Sequence, residues 1–254
     1  MQTVGITLPN ESLEAAKQII VEGEKQGVRL RLLGGLAFKV KCSSAGEPRF
    51  ARINKDIDLY GLRRDGDTIV KIMETLGYKP REVFNSLSMG KRLIYYDLGN
   101  KRRIDLFLDE FEMCHKFNFK DRIPISSLTL PMTDLVMTKL QVVEMTEKEY
   151  KDLMAAFIDF EITHDERGIN ADRIAEISSK DWGIYKTFTT SLGLVKEAAH
   201  SLNDESGALI GARIDELVQA IEQRPKTFGW KVRAAVGERA KWYELPTPDS
   251  DLVG

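Results

Sequence analysis

The hydrophobic periodicity of the chain changes near Pro131, and this change constrains the fold more than any other feature of the sequence. Before Pro131, helical segments alternate with short apolar runs of period two that are typical of strands. After it, apolar residues recur at helical spacing to about residue 242. The pattern predicts an α+β fold, in which a mixed β-sheet with flanking helices over residues 1–135 is followed by a helical domain over residues 136–254.

Two of the predicted strands lie close to residues that are suited to a functional site. The segment "VRLRLLGG" alternates apolar and basic residues and ends in Gly34 and Gly35, which predicts a strand that runs into a tight turn. The segment "RINKDIDLYG" at residues 52–61 places Asp56 and Asp58 two positions apart. Because positions i and i+2 of a strand point the same way, both carboxylates are expected on one face.

A predicted β-hairpin carries a third acid. The segment "KRLIYYDLGNKRRIDLFLDEF" at residues 91–111 contains two apolar-rich runs around a turn, where Gly99 and Asn100 tolerate positive φ. Asp105 lies in the second run, between Ile104 and Leu106. A further strand pair is expected between residues 115 and 131.

The paired carboxylates of Asp56 and Asp58 repel each other unless a positive charge lies between them. A hard divalent cation such as Mg²⁺ takes oxygen ligands and is commonly held by one or two carboxylates together with substrate phosphates. A second interpretation is equally simple: Asp56 closes a turn, Asp58 faces water, and the double glycine is only a turn.

The net charge of −2 excludes a polycation that binds nucleic acid along its whole surface. Basic residues nevertheless cluster on both sides of the candidate acids, an arrangement that suits an anionic substrate or solvated turns: Arg49, Arg52, Lys55, Lys91, Arg92, Lys101, Arg102 and Arg103.

Cysteine and histidine usage gives little support to disulfide or zinc chemistry. The two cysteines, Cys42 and Cys114, have no metal-ligand spacing, and three dispersed histidines match no zinc pattern. No apolar run approaches the roughly 18 residues of a membrane span, and the first residues do not read as a signal peptide. We therefore expect a cytoplasmic protein without a membrane partner.

The order of these motifs resembles the nucleotidyltransferase superfamily that shares the DNA polymerase β fold. "GGLAFKV", "RINKDIDLYG", "RRIDLFLDEF" and "LVMTKLQVVEMTEKEYKDLMAAF" together look like the AbiEii-type toxin nucleotidyltransferases and their uncharacterised relatives, over about residues 28 to 160. The resemblance implies a nucleotidyltransferase-like sheet on which Asp56, Asp58 and Asp105 are the catalytic, metal-binding acids. Two Mg²⁺ ions shared by three carboxylates would suit nucleotidyl transfer.

Candidate nucleotide-binding residues follow from chemistry at the double glycine and beside the acids, and from the resemblance at Lys139. The backbone at Gly34 and Gly35 would approach the phosphates, since glycine has no Cβ, and Arg52 and Lys55 beside the acids would clamp phosphate oxygens. Lys139 of "TKLQ" would also hold phosphates.

Asp152 in the following predicted helix would complete the site in the resembling family. By spacing alone, Lys139 also fits a surface residue, and Asp152 also fits an i,i+4 salt-bridge partner of Lys148 on a helix face.

The implied function is Mg²⁺-dependent transfer of an NMP from an NTP to an acceptor hydroxyl. The resemblance implies RNA, particularly a tRNA end, as acceptor and an antitoxin protein as partner. A protein side chain or a small hydroxylated compound such as an antibiotic is compatible with the superfamily. Alternatives from other classes are a non-catalytic module that binds a nucleotide or a partner, and an interaction protein built on the helical half.

Two departures from the family pattern stand out. No serine follows the double glycine, and 21 positions separate Gly35 from Asp56, more than in compact members. The intervening "CSSAGEP" composition is typical of a flexible loop or a lid.

Overall fold

A five-stranded mixed sheet organises the first half of the chain. The computed structural model describes residues 9–202 and 204–246. The sheet has the order β1-β2-β5-β4-β3, with β2 and β5 parallel and the other pairs antiparallel. Its strands are β1 (Arg31–Leu33), β2 (Ile57–Gly61), β3 (Lys79–Pro80), β4 (Arg92–Asp97) and β5 (Arg102–Leu108).

Helices flank this sheet and then dominate the rest of the chain. The helices of the first half are α1 (Pro9–Lys25), α2 (Gly34–Lys41), α3 (Gly66–Thr75) and α4 (Glu82–Leu87). Those that follow are α5 (Met132–Leu140), α6 (Glu147–Asp159), α7 (Ala171–Lys180), α8 (Trp182–His200), α9 (Glu205–Gln223) and α10 (Phe228–Val236). The α+β class with a mixed sheet and a helical second half is confirmed.

The local sequence explains several element boundaries. Gly77 has a φ of 80° and follows α3, so it ends the helix in the left-handed conformation that glycine adopts easily. The side chains of Thr146 and Glu149 form a capping box at the start of α6. The Asp204 carboxylate accepts hydrogen bonds from the first backbone N–H groups of α9.

Two details of the strand prediction are wrong. The residue with positive φ in the β4–β5 turn is Lys101, at 51°, whereas we expected the turn to use Gly99 and Asn100. The strand pair expected between residues 115 and 131 forms instead between β6 (Phe111–Glu112) and β7 (Lys116–Phe117). The chain then makes a 3₁₀ helix at Lys120–Ile125, where Pro124 cannot donate to a ladder.

The second half also contains strands where only helices were expected. A short parallel pair, β8 (Ile162–Thr163) and β9 (Ile169–Asn170), lies between α6 and α7. Close backbone approach explains the pair, because a Cβ at Gly168 would lie 2.4 Å from the Glu161 carbonyl oxygen. Strands of two residues carry no readable periodicity, so helical spacing on either side hid them.

The apolar core is continuous through both halves. One buried cluster includes Ile57 and Leu59 of β2, Phe38 of α2, Leu135 of α5 and Leu217 of α9. Helix α2 packs on β1 and β2 as well as on α5 and α6, so it joins the sheet to the helices. Helix α5 crosses the boundary proposed between residues 135 and 136, and the division into two domains stays a prediction.

The long connection from α2 to β2 is anchored to the helical half instead of being free. The Asp159 carboxylate at the end of α6 accepts hydrogen bonds from the Ser44 backbone N–H at 2.9 Å and the Ser44 hydroxyl at 2.5 Å. Arg49 lies 2.6 Å from Asp204 at the start of α9, and Phe50 is buried. The expected loop flexibility is therefore replaced by a fixed connection, which places Arg52 and the acids that follow it.

Among the described helices, none combines the length and the apolar character that a bilayer crossing requires. Both cysteines, Cys42 and Cys114, are buried free thiols.

Candidate active site

The parallel register of β2 and β5 brings two of the predicted acids together. Asp58 on β2 is paired with Asp105 on β5, so the two side chains project from the same face of neighbouring strands. Ile57 and Leu59 lie on the other face and are fully buried. The apolar alternation in β2 thus fixes the strand's orientation and leaves the acid on the opposite face.

The double glycine lies directly against the side chains of the site. Gly34 has a φ of 66°, and a Cβ built on it would lie 2.0 Å from Oδ2 of Asp58. A Cβ on Gly35 would lie 1.8 Å from Nη2 of Arg52 and 2.4 Å from Oδ1 of Asn54. The protein's own side chains therefore approach the start of α2 so closely that only glycine fits at these two positions.

The Asp58 carboxylate lies in an environment that opposes its charge. Burial, together with the negative charges of Asp105 and Asp56, raises the pKa of Asp58 to about 7, against the opposing effects of Lys139 and Arg92. No hydrogen bond or ion pair to Asp58 forms among residues 9–202 and 204–246. Such a carboxylate is an available oxygen ligand for a cation.

Asp105, by contrast, lies against the guanidinium groups of two arginines. Arg92 places Nη2 at 2.6 Å and Nε at 2.8 Å from Oδ1 of Asp105, and Arg103 places Nε at 2.7 Å from Oδ2. Asp105 is buried, with 3% of its surface exposed. Two basic clusters marked in the sequence therefore converge on this acid, although neither arginine was singled out as a site residue.

Asp56 is exposed just before β2, and the neighbouring Lys55 is exposed as well. In the described part of the chain, no three His, Cys, Asp or Glu side chains are placed to hold a metal ion together. Asp58 and Asp56 offer carboxylate oxygens that fit one hard divalent cation, whereas Asp105 has both oxygens against guanidinium groups. The pair of ions expected from the sequence stays a prediction, because Asp105 would have to leave its arginines.

A second charged network joins the long connection to α5 and α6. Arg52 binds Asp152 with both Nε, at 3.0 Å from Oδ1, and Nη2, at 2.5 Å from Oδ2. Lys139 lies 3.0 Å from Oδ2 of Asp152 and 3.3 Å from Oε1 of Glu149. Asp152 is buried and the Lys139 side chain is 12% exposed.

These positions exclude one set of alternatives for Lys139 and Asp152, whereas their role in nucleotide binding stays a prediction. The interpretation as a surface lysine, and as a helix-face partner of Lys148, is wrong, because both side chains are largely buried against each other. Lys139 also acts electrostatically on Asp58, and Arg52 covers Gly35, so the network adjoins the acids. Among the described residues, Lys55 is the one predicted nucleotide-binding residue without a contact in this charged network or at the double glycine.

A cavity of about 420 Å³ lies elsewhere, between the start of α8, α10 and the segment that follows it. It is lined by all three tryptophans of the chain, Trp182, Trp230 and Trp242, and by none of the predicted site residues. The cavity and the acidic face are separate features of the protein.

Comparison with known proteins adds little to this geometry. No protein-family model matches the chain, and no curated protein matches it. The chain is similar to the solution structure of the antibiotic-resistance factor ANT(2'')-Ia, with 14% identity, a TM-score of 0.39 and coverage of 85% of this chain and 97% of that one. A likeness of this extent assigns neither a family nor an activity, and the resemblance to the AbiEii-type nucleotidyltransferases rests on the sequence motifs alone.

Proposed function

We propose that the protein is a Mg²⁺-dependent nucleotidyltransferase that transfers an NMP from an NTP to an acceptor hydroxyl. The observation that carries the proposal is the pairing of Asp58 with Asp105 on adjacent parallel strands, beneath the glycine that opens α2. Acids that lie far apart in sequence converge on one face in the order that the motifs predict. A purely structural strand end has no need for two carboxylates on neighbouring strands.

The metal ligands in this proposal are Asp58 and Asp56, with Asp105 once it is released from its arginines. A divalent cation bound there would neutralise charge on the triphosphate and favour ionisation of the acceptor hydroxyl. The chain itself holds Asp58 in place through Gly34 and through the fully buried neighbours Ile57 and Leu59. A carboxylate fixed in this way does not have to be ordered at the moment of reaction.

The phosphates would be bound by the basic side chains that surround the acids. Among the described residues, the Lys139 ammonium lies within 3.3 Å of two carboxylates, Glu149 and Asp152, and because it has three N–H donors, one donor remains for a phosphate oxygen. Arg52 uses Nε and Nη2 to bind Asp152 of α6. In this proposal it therefore acts first as a positioning residue, which holds the connection from α2 against α6 beside Gly35. Lys55 is exposed and free to contact the nucleotide from the solvent side.

The acceptor in this proposal is RNA, in particular a tRNA end, as the motif resemblance implies. An antitoxin partner belongs to the same proposal. Neither follows from the geometry of the acids, because folds and metal sites do not dictate the acceptor.

A labelling experiment tests the function. Each of the four α-³²P-labelled NTPs is incubated with the protein and Mg²⁺ against total RNA, against a protein lysate and against a pool of hydroxylated small molecules. We expect labelled RNA from the unaltered protein and no labelled product from Asp58→Asn or Asp105→Asn. Asp67→Asn, the same change at an exposed acid in the first turn of α3, is the matched control.

Label in the RNA pool that survives in Asp67→Asn and disappears in the two site variants supports the proposal. The proposal is wrong if no NTP labels any of the three pools, or if Asp58→Asn labels as well as the unaltered protein does.

A further inference from the structure

We propose that Arg92 and Arg103 hold Asp105 away from cation binding in the substrate-free protein, and that they transfer to the phosphate oxygens of the incoming nucleotide. This inference rests on the proposed function and concerns the regulation of the same site. We call Arg92, Arg103 and Asp105 the arginine clamp.

The clamp occupies the positions that a metal ion needs on Asp105. Four guanidinium nitrogens lie within 3.1 Å of the two carboxylate oxygens, namely Nε and Nη2 of Arg92 and Nε and Nη2 of Arg103. Three of these nitrogens approach Oδ1 and one, Nε of Arg103, approaches Oδ2 at 2.7 Å, so positive guanidinium groups oppose a cation at both oxygens. A cation therefore gains Asp105 as a ligand only when the arginine side chains move.

The arginines lie on the solvent side of the acid. The side-chain exposure is 30% for Arg92 and 19% for Arg103, against 5% for Asp105. An anionic substrate that approaches this face meets guanidinium groups before it meets the carboxylate. Guanidinium binds phosphate with the same planar two-point geometry that it uses for a carboxylate, so an exchange of partners conserves its hydrogen bonds.

Arg92 keeps a second support when it leaves Asp105. Its guanidinium carbon lies 4.8 Å from the centroid of the Phe107 ring and 5.8 Å from that of Phe84. These cation–π contacts do not depend on the carboxylate. The side chain is therefore held at the mouth of the site in either state.

Arg52 is fixed in place, in contrast to the two arginines of the clamp. Arg52 also binds a buried carboxylate with two nitrogens, and its side chain at 16% exposure is nearly as buried as that of Arg103 at 19%, so the difference lies in the acid that each arginine binds. The group it binds, Asp152, also pairs with Lys139 and belongs to the helices. Arg52 therefore stays in place while the clamp opens.

The proposal predicts coupling between metal and nucleotide. If the phosphates remove the arginines from Asp105, nucleotide raises the affinity for the metal ion, and the metal ion raises the affinity for nucleotide by the same factor. Without nucleotide, the clamp lowers metal affinity.

Mn²⁺ binding in the absence of nucleotide, measured from the electron paramagnetic resonance signal of the free ion, tests the clamp. We expect Arg92→Gln and Arg103→Gln to bind Mn²⁺ about tenfold more tightly than the unaltered protein, within the usual range of site-to-site coupling. Arg64→Gln, the same change at an arginine that is 80% exposed, should leave Mn²⁺ affinity unchanged.

Arg92→Lys separates the clamp from a simple change of charge. Lysine keeps the positive charge but cannot contact Asp105 through a two-nitrogen fork, so the clamp predicts tighter Mn²⁺ binding for this variant too. Equal Mn²⁺ affinity in Arg92→Lys and the unaltered protein contradicts the clamp. A melting curve for each variant confirms that it is folded.

The phosphate half of the proposal has its own measurement. Inorganic tripolyphosphate in EDTA should raise the melting temperature of the unaltered protein and of Arg64→Gln more than that of Arg92→Gln. Equal shifts in all three proteins overturn the transfer of Arg92 to phosphate.

The result separates this inference from the proposed function. If the unaltered protein labels RNA while the clamp variants bind Mn²⁺ no more tightly, the clamp is wrong and the transferase stands. If no protein binds Mn²⁺ at Asp58, as judged by an unchanged affinity in Asp58→Asn, the metal site fails and the clamp fails with it.

Discussion

Gly34 and Asp58 occupy adjoining space so completely that a single methyl group on the glycine would lie 2.0 Å from Oδ2 of the carboxylate. The first prediction follows from this relationship. Gly34→Ala should destabilise the fold and abolish transfer, because the new methyl displaces Asp58 and the φ of 66° also strains an alanine. Thermal unfolding and the labelling reaction measure the two effects.

Gly27→Ala is the matched control for Gly34→Ala. Gly27 has a φ of 77°, and a Cβ on it meets nothing within 4 Å, so this change introduces only the backbone strain of about 1–2 kcal/mol. We expect Gly27→Ala to lose stability in that range and to keep full activity. Equal losses in the two variants would show that the contact with Asp58 is unimportant.

The second prediction concerns the pH dependence of stability without metal. Burial raises the pKa of Asp58 to about 7 in the folded protein, above its value of about 3.9 in an unfolded chain. The folded state therefore binds more protons than the unfolded state between these values, and the contribution of Asp58 to stability falls as the pH rises through this window.

Asp58→Asn removes this contribution. In EDTA, its melting temperature should equal or exceed that of the unaltered protein, and the difference should grow from about pH 4 to pH 7 and then level off. Asp67→Asn, at an exposed acid, should show no such growth. A difference that stays constant or shrinks over this pH range would show that the folded protein does not disfavour the charged form of Asp58.

The third prediction concerns Lys139. Lys139→Met keeps most of the side-chain volume but removes the charge, so NTP affinity measured by calorimetry should fall at least severalfold. Some stability should be lost as well, because Asp152 loses one of the two basic partners that it has in the described part of the chain.

Lys151→Met is the control for Lys139→Met. Lys151 pairs along α6 at 2.7 Å with Glu147, whose side chain is 79% exposed, and pairs of this kind contribute little. If both variants bind NTP as the unaltered protein does, Lys139 has a structural role only.

The fourth prediction concerns cooperativity between the two halves. All three tryptophans lie in the helical half, so their fluorescence reports the unfolding of that half, whereas far-ultraviolet circular dichroism reports both. Because the core is continuous and α5 crosses the proposed boundary, we expect the two signals to change at the same denaturant concentration. Separated transitions would instead support independent domains at 1–135 and 136–254.

The sequence predicts those features that depend on local patterns. The alternation around Asp58 places the acid on the face opposite Ile57 and Leu59, and the hairpin of β4 and β5 follows from two apolar runs around a turn. Short elements such as β8 and β9 cannot be predicted in this way, because two residues do not establish a period.

The partners of the acids are the part that the sequence does not reveal. The contact between Arg52 and Asp152 joins residues 100 positions apart, and it depends on how α6 packs against the connection from α2. The approach of Arg92 to Asp105 depends on the register of β4 and β5, and a shift of one residue would turn Arg92 away from the acid. Arg103 lies two positions before Asp105 on the same strand, so the i, i+2 spacing already places these two side chains on one face. For Arg52 and Arg92, the sequence shows the basic residue, and packing determines which acid it meets.

The anchored connection between α2 and β2 also determines where the chain tolerates engineering. Its glycine and serine content suggests a convenient site for an epitope tag or a fluorophore, but the contacts of Ser44 with Asp159 and of Arg49 with Asp204 would be broken by an insertion. The β4–β5 turn at residues 98–101 is exposed, and it is the better site for a label. A fluorophore there would leave undisturbed the contacts that hold Arg52 beside Gly35.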